Sequence, residues 1–215
     1  MSTACSSGNC SERTTCSSFS GVTSKLSDSP CCACAKERDD DDMNSSFDSS
    51  CDDSISEAEH VATDNETLAI VPVIVNVIET IVARTRPSQG DTRPRNAFHT
   101  EALPGISIRD YLVRIITYTH VERSTLICAL IYMDRLSSAG VAVNGHSVHK
   151  VLFTSILMSM KFNEDCIYTI SFFAEVAGVT VPELLSMESE FVNKINFNFH
   201  VDETVFNTYA SLLTQ

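Results

Sequence analysis

No stretch of the 215-residue chain reaches the roughly 18–20 consecutive apolar residues that a membrane-spanning helix needs. The longest apolar run, residues 68–78, is interrupted by Pro72 and Asn76, so a membrane partner is not expected. The opening Met-Ser-Thr-Ala-Cys-Ser-Ser lacks a basic segment and an apolar core, and does not read as a signal peptide. Ser2 stands where myristoylation needs glycine. Bases are scarce: 15 Lys and Arg stand against 28 Asp and Glu, for a net charge of −13 and a pI near 4.7. Non-specific nucleic-acid binding needs a basic face that displaces counterions, so nucleic acid is not an expected partner either. The 7 glycines are scattered, and none belongs to a phosphate-cradling loop. His146 and His149 are three apart, a spacing metals use, but no third ligand cluster accompanies them. Nothing couples Cys128 or Cys166 to a base that would activate a thiol. The expectation is a non-enzyme with no metal and no cofactor, cytoplasmic and/or nuclear.

What is present is divided unevenly. Residues 1–65 carry 13 of the 28 acids, 4 of the 15 Lys and Arg, and 7 of the 9 cysteines. They are serine-rich and include the run Asp39-Asp40-Asp41-Asp42. Such a segment buries too little apolar area to offset chain entropy, and reads as a disordered tail. Its cysteines (Cys5, Cys10, Cys16, Cys31, Cys32, Cys34 and Cys51) lack zinc-site spacing and read as reduced thiols. Ser29 precedes Pro30, and Ser50, Ser54 and Ser56 lie ahead of acids, so these four are candidate phosphosites. Residues 66–215 read as a globular domain with a core at about 104–200.

The domain's periodicity is helical throughout. Ile70, Ile74, Val77, Ile78, Ile81 and Val82 form one stripe at steps of three and four, with Pro72 placed in the first turn. Residues 85–104 read as a connector broken by Pro87, Gly90, Pro94 and Pro104. Ser107 with Asp110 forms a capping pair ahead of Ile108, Tyr111, Leu112, Ile115 and Ile116. Further helices are expected over about 123–138, 147–162 and 170–177, the last ending at Gly178. Another opens with the capping box Thr180-Val181-Pro182-Glu183 and carries Leu184, Leu185, Glu188, Phe191, Val192 and Ile195. Short links and no strand alternation give an all-α bundle.

Three charges fall at or beside core-facing positions of these helices. Asp134 follows Leu130 by four, Lys161 follows Met158 by three, and Glu188 follows Leu184 by four. Either each sits at a stripe edge with its head in water, or Lys161 and Glu188 meet across adjacent helices. Held side by side, that pair could hydrogen-bond the backbone of a docking partner.

Leu130-Ile131-Tyr132-Met133-Asp134-Arg135-Leu136 resembles the second helix of the cyclin box. Met160-Lys161-Phe162-Asn163-Glu164-Asp165 resembles the end of its third helix, and Met187-Glu188 with Phe191 to Phe199 resembles its fifth. Ile106-Ser107-Ile108-Arg109-Asp110-Tyr111-Leu112 is in the style of the P/U-type cyclins, the phosphate-regulatory cyclins of fungi and their protozoan relatives. The resemblance implies a single five-helix cyclin fold with extra terminal helices, which residues 70–84 and 203–214 would supply. It implies a regulatory subunit that binds and activates a cyclin-dependent kinase in cell-cycle or phosphate-responsive signalling, with kinase substrates as further partners. Residue by residue, it makes Lys161 and Glu188 the central kinase-binding pair and Phe162 an aromatic contact. Ser159, Glu164, Val192 and Phe197 fall on neighbouring contact positions, and Asp134 becomes an internal brace. Cell-cycle cyclins use an Arg to brace that Asp; the matching position here is Gly105, so Arg109 or Arg114 would have to serve. An adaptor for a non-kinase protein is the alternative, and an inhibitor has the same signature as an activator.

Overall fold

The computed structural model describes residues 57–85, 96–165 and 167–213, with side chains from Asn65 onward. The four candidate phosphosites and the tail cysteines lie outside these residues. Seven helices and no strand occur among the described residues: α1 (Glu57–Arg84), α2 (Ile108–Thr119), α3 (Arg123–Ser138), α4 (Val148–Asn163), α5 (Ile170–Ala177), α6 (Val181–Lys194) and α7 (Glu203–Leu212). The five helices expected from the resemblance are α2 to α6, with α1 before them and α7 after.

Helix α1 differs most from the sequence reading. It begins at Glu57 rather than Ile70, so Pro72 lies inside it and not in its first turn. A proline there has no N–H for the Leu68 carbonyl and costs about 3 kcal/mol. Ile70, Val71, Ile74, Val75 and Ile78 are all buried around it. Each contributes roughly 1.5–3 kcal/mol, so burial outweighs the missing bond. Val77, placed in the stripe by periodicity, is instead 47% exposed. The Asn65–Arg84 stretch is longer than the run read from sequence, and by length and composition alone it would suffice to cross a membrane. Its buried side serves the core against α2 and α3, and Thr67 donates to the Val121 carbonyl at 3.3 Å.

The helix caps follow local chemistry. Asp110 N–H donates to Ser107 Oγ at 3.0 Å, and Phe172 N–H to Thr169 Oγ1 at 3.3 Å. Glu183 N–H donates to Thr180 Oγ1 at 3.4 Å, which is half of the expected capping box. The Glu183 carboxylate does not return to the cap but pairs with Lys150 of α4 at 2.5 Å. Gly178 ends α5 at φ +73, a left-handed conformation that suits glycine.

Helix α4 is buried on every side from Val151 through Met160. A helix apolar all round belongs in the centre, and α4 packs against α2, α3, α5 and α6. Its buried hydroxyls are satisfied: Thr154 donates to the Lys150 carbonyl and Ser155 to the Val151 carbonyl, both at 2.8 Å.

Candidate docking surface

The C-terminal end of α4 and the outer face of α6 form one surface. Leu184, Met187 and Phe191 are buried and fix the rotation of α6. That rotation brings Glu188 to the α4 side, where its carboxylate forms an ion pair with the Lys161 ammonium. The Lys161 side chain is 32% exposed and that of Glu188 12%. A carboxylate this enclosed is costly unless paired, and Lys161 pairs it. The two charges therefore meet across the helices rather than pointing separately into water.

Around the pair lies a groove of 350 Å³, with Met158 and Val192 in its lining and Leu185 and Phe197 on its walls. Leu185, placed in the α6 core stripe by periodicity, is 49% exposed. Phe197 is 72% exposed and Phe162 55%. Phe162 stacks on Phe199 with ring centroids 5.4 Å apart. Exposed phenylalanine and leucine side chains beside a partly covered ion pair form an apolar patch with a polar centre, the kind of surface that marks an interaction site.

The chain leaves α6 through two left-handed residues, Asn196 at φ +51 and Phe197 at φ +56. Asn tolerates this region, whereas Phe does so at a cost of about 1–2 kcal/mol. Phe197 N–H donates to the Val192 carbonyl at 3.1 Å, closing the turn. Helix α3 holds the residues that follow. Tyr132 Oη donates to the Phe199 carbonyl at 2.7 Å, and Arg135 donates to the carbonyls of Asn198 at 2.7 Å and His200 at 2.8 Å. Burial pushes the Tyr132 phenol up to about 12, so it stays a neutral donor.

Three sequence-assigned positions stand differently. Ser159 is fully buried, and its hydroxyl donates to the Thr125 carbonyl at 2.7 Å, so it joins α4 to α3 and cannot touch a docked partner. Glu164 turns inward: its carboxylate accepts the Glu122 N–H at 3.4 Å at the start of α3. Burial pushes the Glu164 carboxyl upward, and hydrogen bonds from Thr125 and Glu122 partly oppose this. Asp134 is exposed rather than an internal brace, and it faces the Tyr209 hydroxyl of α7. Neither Arg109 nor Arg114 braces it; Arg109 is exposed, and Arg114 donates to the Glu175 carbonyl at 3.1 Å.

The two spaced histidines hold backbone. His146 Nδ1 lies 3.0 Å from the Thr100 carbonyl, and His149 Nε2 lies 3.0 Å from the Ile106 carbonyl. Burial pushes the Cys128 thiol upward, away from thiolate chemistry. Arg135 and Tyr132 were the residues sequence reasoning did not single out. They stand three apart on α3, one helical turn, which is a visible signal, but their carbonyl partners lie over 60 residues away.

The sequence pattern of the Cyclin family matches residues 8–199. The chain is 32% identical over 160 residues to cyclin-U4-2 of Arabidopsis thaliana, covering 70% of this chain and 74% of that one. It is 31% identical over 149 residues to Arabidopsis thaliana cyclin-U2-1, covering 65% of this chain and 67% of that one. It is also 34% identical over 114 residues to cyclin-P3-1 of Oryza sativa subsp. japonica, covering 53% of this chain and 48% of that one. With a family match over most of its length and these U- and P-type relatives, the chain belongs to the cyclin family, as a non-catalytic regulatory subunit whose partner is a cyclin-dependent kinase.

Proposed function

We propose that α4 and α6 form the face that docks and activates the kinase. The carrying observation is the Lys161–Glu188 pair, set in an open groove edged by Leu185 and Phe197, with Phe162 alongside. The pair presents an ammonium donor and a carboxylate acceptor to the ends of a helix or to a turn of backbone. The aromatic and leucine side chains supply apolar burial around it, which excludes water and strengthens both polar contacts. A kinase's C-helix held there would place its Glu against the catalytic Lys, an assembly that phosphoryl transfer requires. Val192 completes the lining, while Ser159 and Glu164 act from behind as framework. On this reading the protein works in the cytoplasm and/or nucleus, in cell-cycle or phosphate-responsive phosphorylation.

The test is co-expression of the full chain with the source organism's cyclin-dependent kinases, purification on the cyclin, and assay of kinase activity in the eluate. A parallel chain carries Lys161→Ala and Glu188→Ala. The expected result is an active co-purifying kinase with the native chain and a loss of at least about tenfold with the double variant. A folded double variant that binds as well as the native chain overturns the assigned face. If no kinase is retained by the native chain, the activator reading fails, the adaptor reading takes the lead, and the search moves to non-kinase partners. A kinase retained but silenced identifies an inhibitor.

A further inference from the structure

The segment between α6 and α7 projects Phe197 into the groove but has no secondary structure of its own. A phenylalanine in the left-handed region competes with more favourable backbone conformations unless its surroundings over-determine it. Locally, Phe197 N–H donates to the Val192 carbonyl at 3.1 Å and the Phe197 carbonyl accepts from Phe199 N–H at 3.0 Å. Beyond these local bonds, three successive carbonyls on the C-terminal side, those of Asn198, Phe199 and His200, all accept hydrogen bonds from α3. The two Arg135 nitrogens reach carbonyls two residues apart, a span that a planar fork covers and a single ammonium does not. Between them Tyr132 reaches the middle carbonyl, and its ring meets Phe199 edge-on at 5.5 Å. The Arg135 guanidinium lies over the Tyr132 ring at 5.7 Å, which fixes both donors relative to each other. Phe199, thus anchored, is the ring on which exposed Phe162 stacks. Tyr132 is fully buried, and neither α3 residue lines the groove.

We propose that Arg135, with Tyr132, is a positioning residue of the docking surface: by holding the carbonyls of Asn198, Phe199 and His200 it keeps Phe197 presented to the partner. This inference rests on the reading of the α4–α6 face as the kinase-docking surface. Arg135 acts on affinity through Phe197, without touching the kinase itself. Two consequences separate this role from general support of the fold. Loss of Arg135 frees residue 197 while the helices remain intact, and loss of Arg135 has little further effect once the Phe197 ring is gone.

The chain contains no Trp, so Phe197→Trp places a single fluorophore at the position in question. Fluorescence anisotropy decay is measured on the full chain with and without Arg135→Met, with circular dichroism as the check on helix content. The expected result is a faster, larger-amplitude local decay in the Arg135→Met chain at unchanged helix content. Affinity for the kinase that co-purifies with the native chain is then measured for native, Arg135→Met, Phe197→Ala and the double variant. Arg135→Met weakens binding about tenfold in the native background and by no more than about twofold in the Phe197→Ala background. Unchanged anisotropy, or additive losses in affinity, overturns the proposal. If Arg135→Met does not fold, Tyr132→Phe removes one donor and keeps the ring, and the same two readouts apply. Phe197→Ala alone separates the two levels. If it leaves kinase binding intact, the docking reading fails at Phe197, and this inference falls with it. If it weakens binding while Arg135→Met does not, the docking reading stands and only the positioning role is wrong.

Discussion

Lys150 Nζ and Glu183 Oε1, 2.5 Å apart, join the first turn of α4 to the first turn of α6. This is the second Lys–Glu pair between the same two helices, and both times the lysine is on α4. The Lys150 side chain is only 13% exposed and also donates to the His99 carbonyl at 3.3 Å. Lys161–Glu188 faces the groove, whereas Lys150–Glu183 ties the opposite end of α4 to the loop before α2. Lys150→Ala strands a partly exposed Glu183, so the expected loss is about 1–2 kcal/mol, well short of a fully buried pair. Urea denaturation measures it, and kinase affinity per folded molecule stays unchanged.

Ser159→Ala makes the opposite test of a position that lies on the kinase-side helix. Its hydroxyl is buried, donates to the Thr125 carbonyl and accepts from Asn163 Nδ2 at 3.0 Å, so the alanine removes both bonds, while the Thr125 carbonyl keeps its place in the α3 ladder. The expected cost is about 0.5–1.5 kcal/mol of stability. Binding by the folded fraction is expected to match the native chain; a large loss of affinity without loss of stability would return Ser159 to the contact surface.

His149 makes stability depend on pH. The Ile106 carbonyl can only accept, so Nε2 carries the proton, and Nδ1 is buried with no hydrogen-bond partner. Burial lowers the ring's tendency to protonate, more than the bond to Ile106 raises it. The folded pKa lies below the unfolded one, so in acid the unfolded state binds the proton that the folded state refuses. Stability is therefore fully present above the ordinary histidine value, about 6.5, and falls as pH drops through it. His149→Gln flattens this slope when unfolding free energies are compared between pH 7.5 and pH 5.5, values bracketing about 6.5.

Gly178→Ala isolates a backbone effect. A Cβ at this position would meet nothing within 4 Å, yet φ is +73. The expected destabilisation, about 1–2 kcal/mol, is therefore conformational and not steric crowding by neighbours. A melting temperature equal to that of the native chain would show that the end of α5 can relax to negative φ.

Local signals accounted for most of the helices. Ser107, Thr169, Thr180 and Gly178 act through partners within a few residues, so the bounds of α2, α5 and α6 could be read from them. The start of α1 could not. Pro72 is a breaker by local chemistry, and only burial of Ile70, Val71, Ile74, Val75 and Ile78 against α2 and α3 makes it tolerable inside a helix. Periodicity placed Val77 and Leu185 inward because it reports a stripe without saying which edge a neighbour covers; packing turned both outward.

The all-α character, the turn positions and the residues of the cyclin-box motifs were determined by the sequence itself, because caps, breakers and helical periodicity act over a few residues. The tertiary structure alone decided which polar groups meet. Lys161 and Glu188 lie 27 residues apart, Ser159 and Thr125 34, and Arg135 and His200 65. Such pairings depend on the rotation and crossing of packed helices, which are set by the fit of many buried side chains at once. That is why Ser159 and Glu164 moved from the surface into the frame, Asp134 turned to α7, and Arg135 and Tyr132 emerged as the clamp behind Phe197.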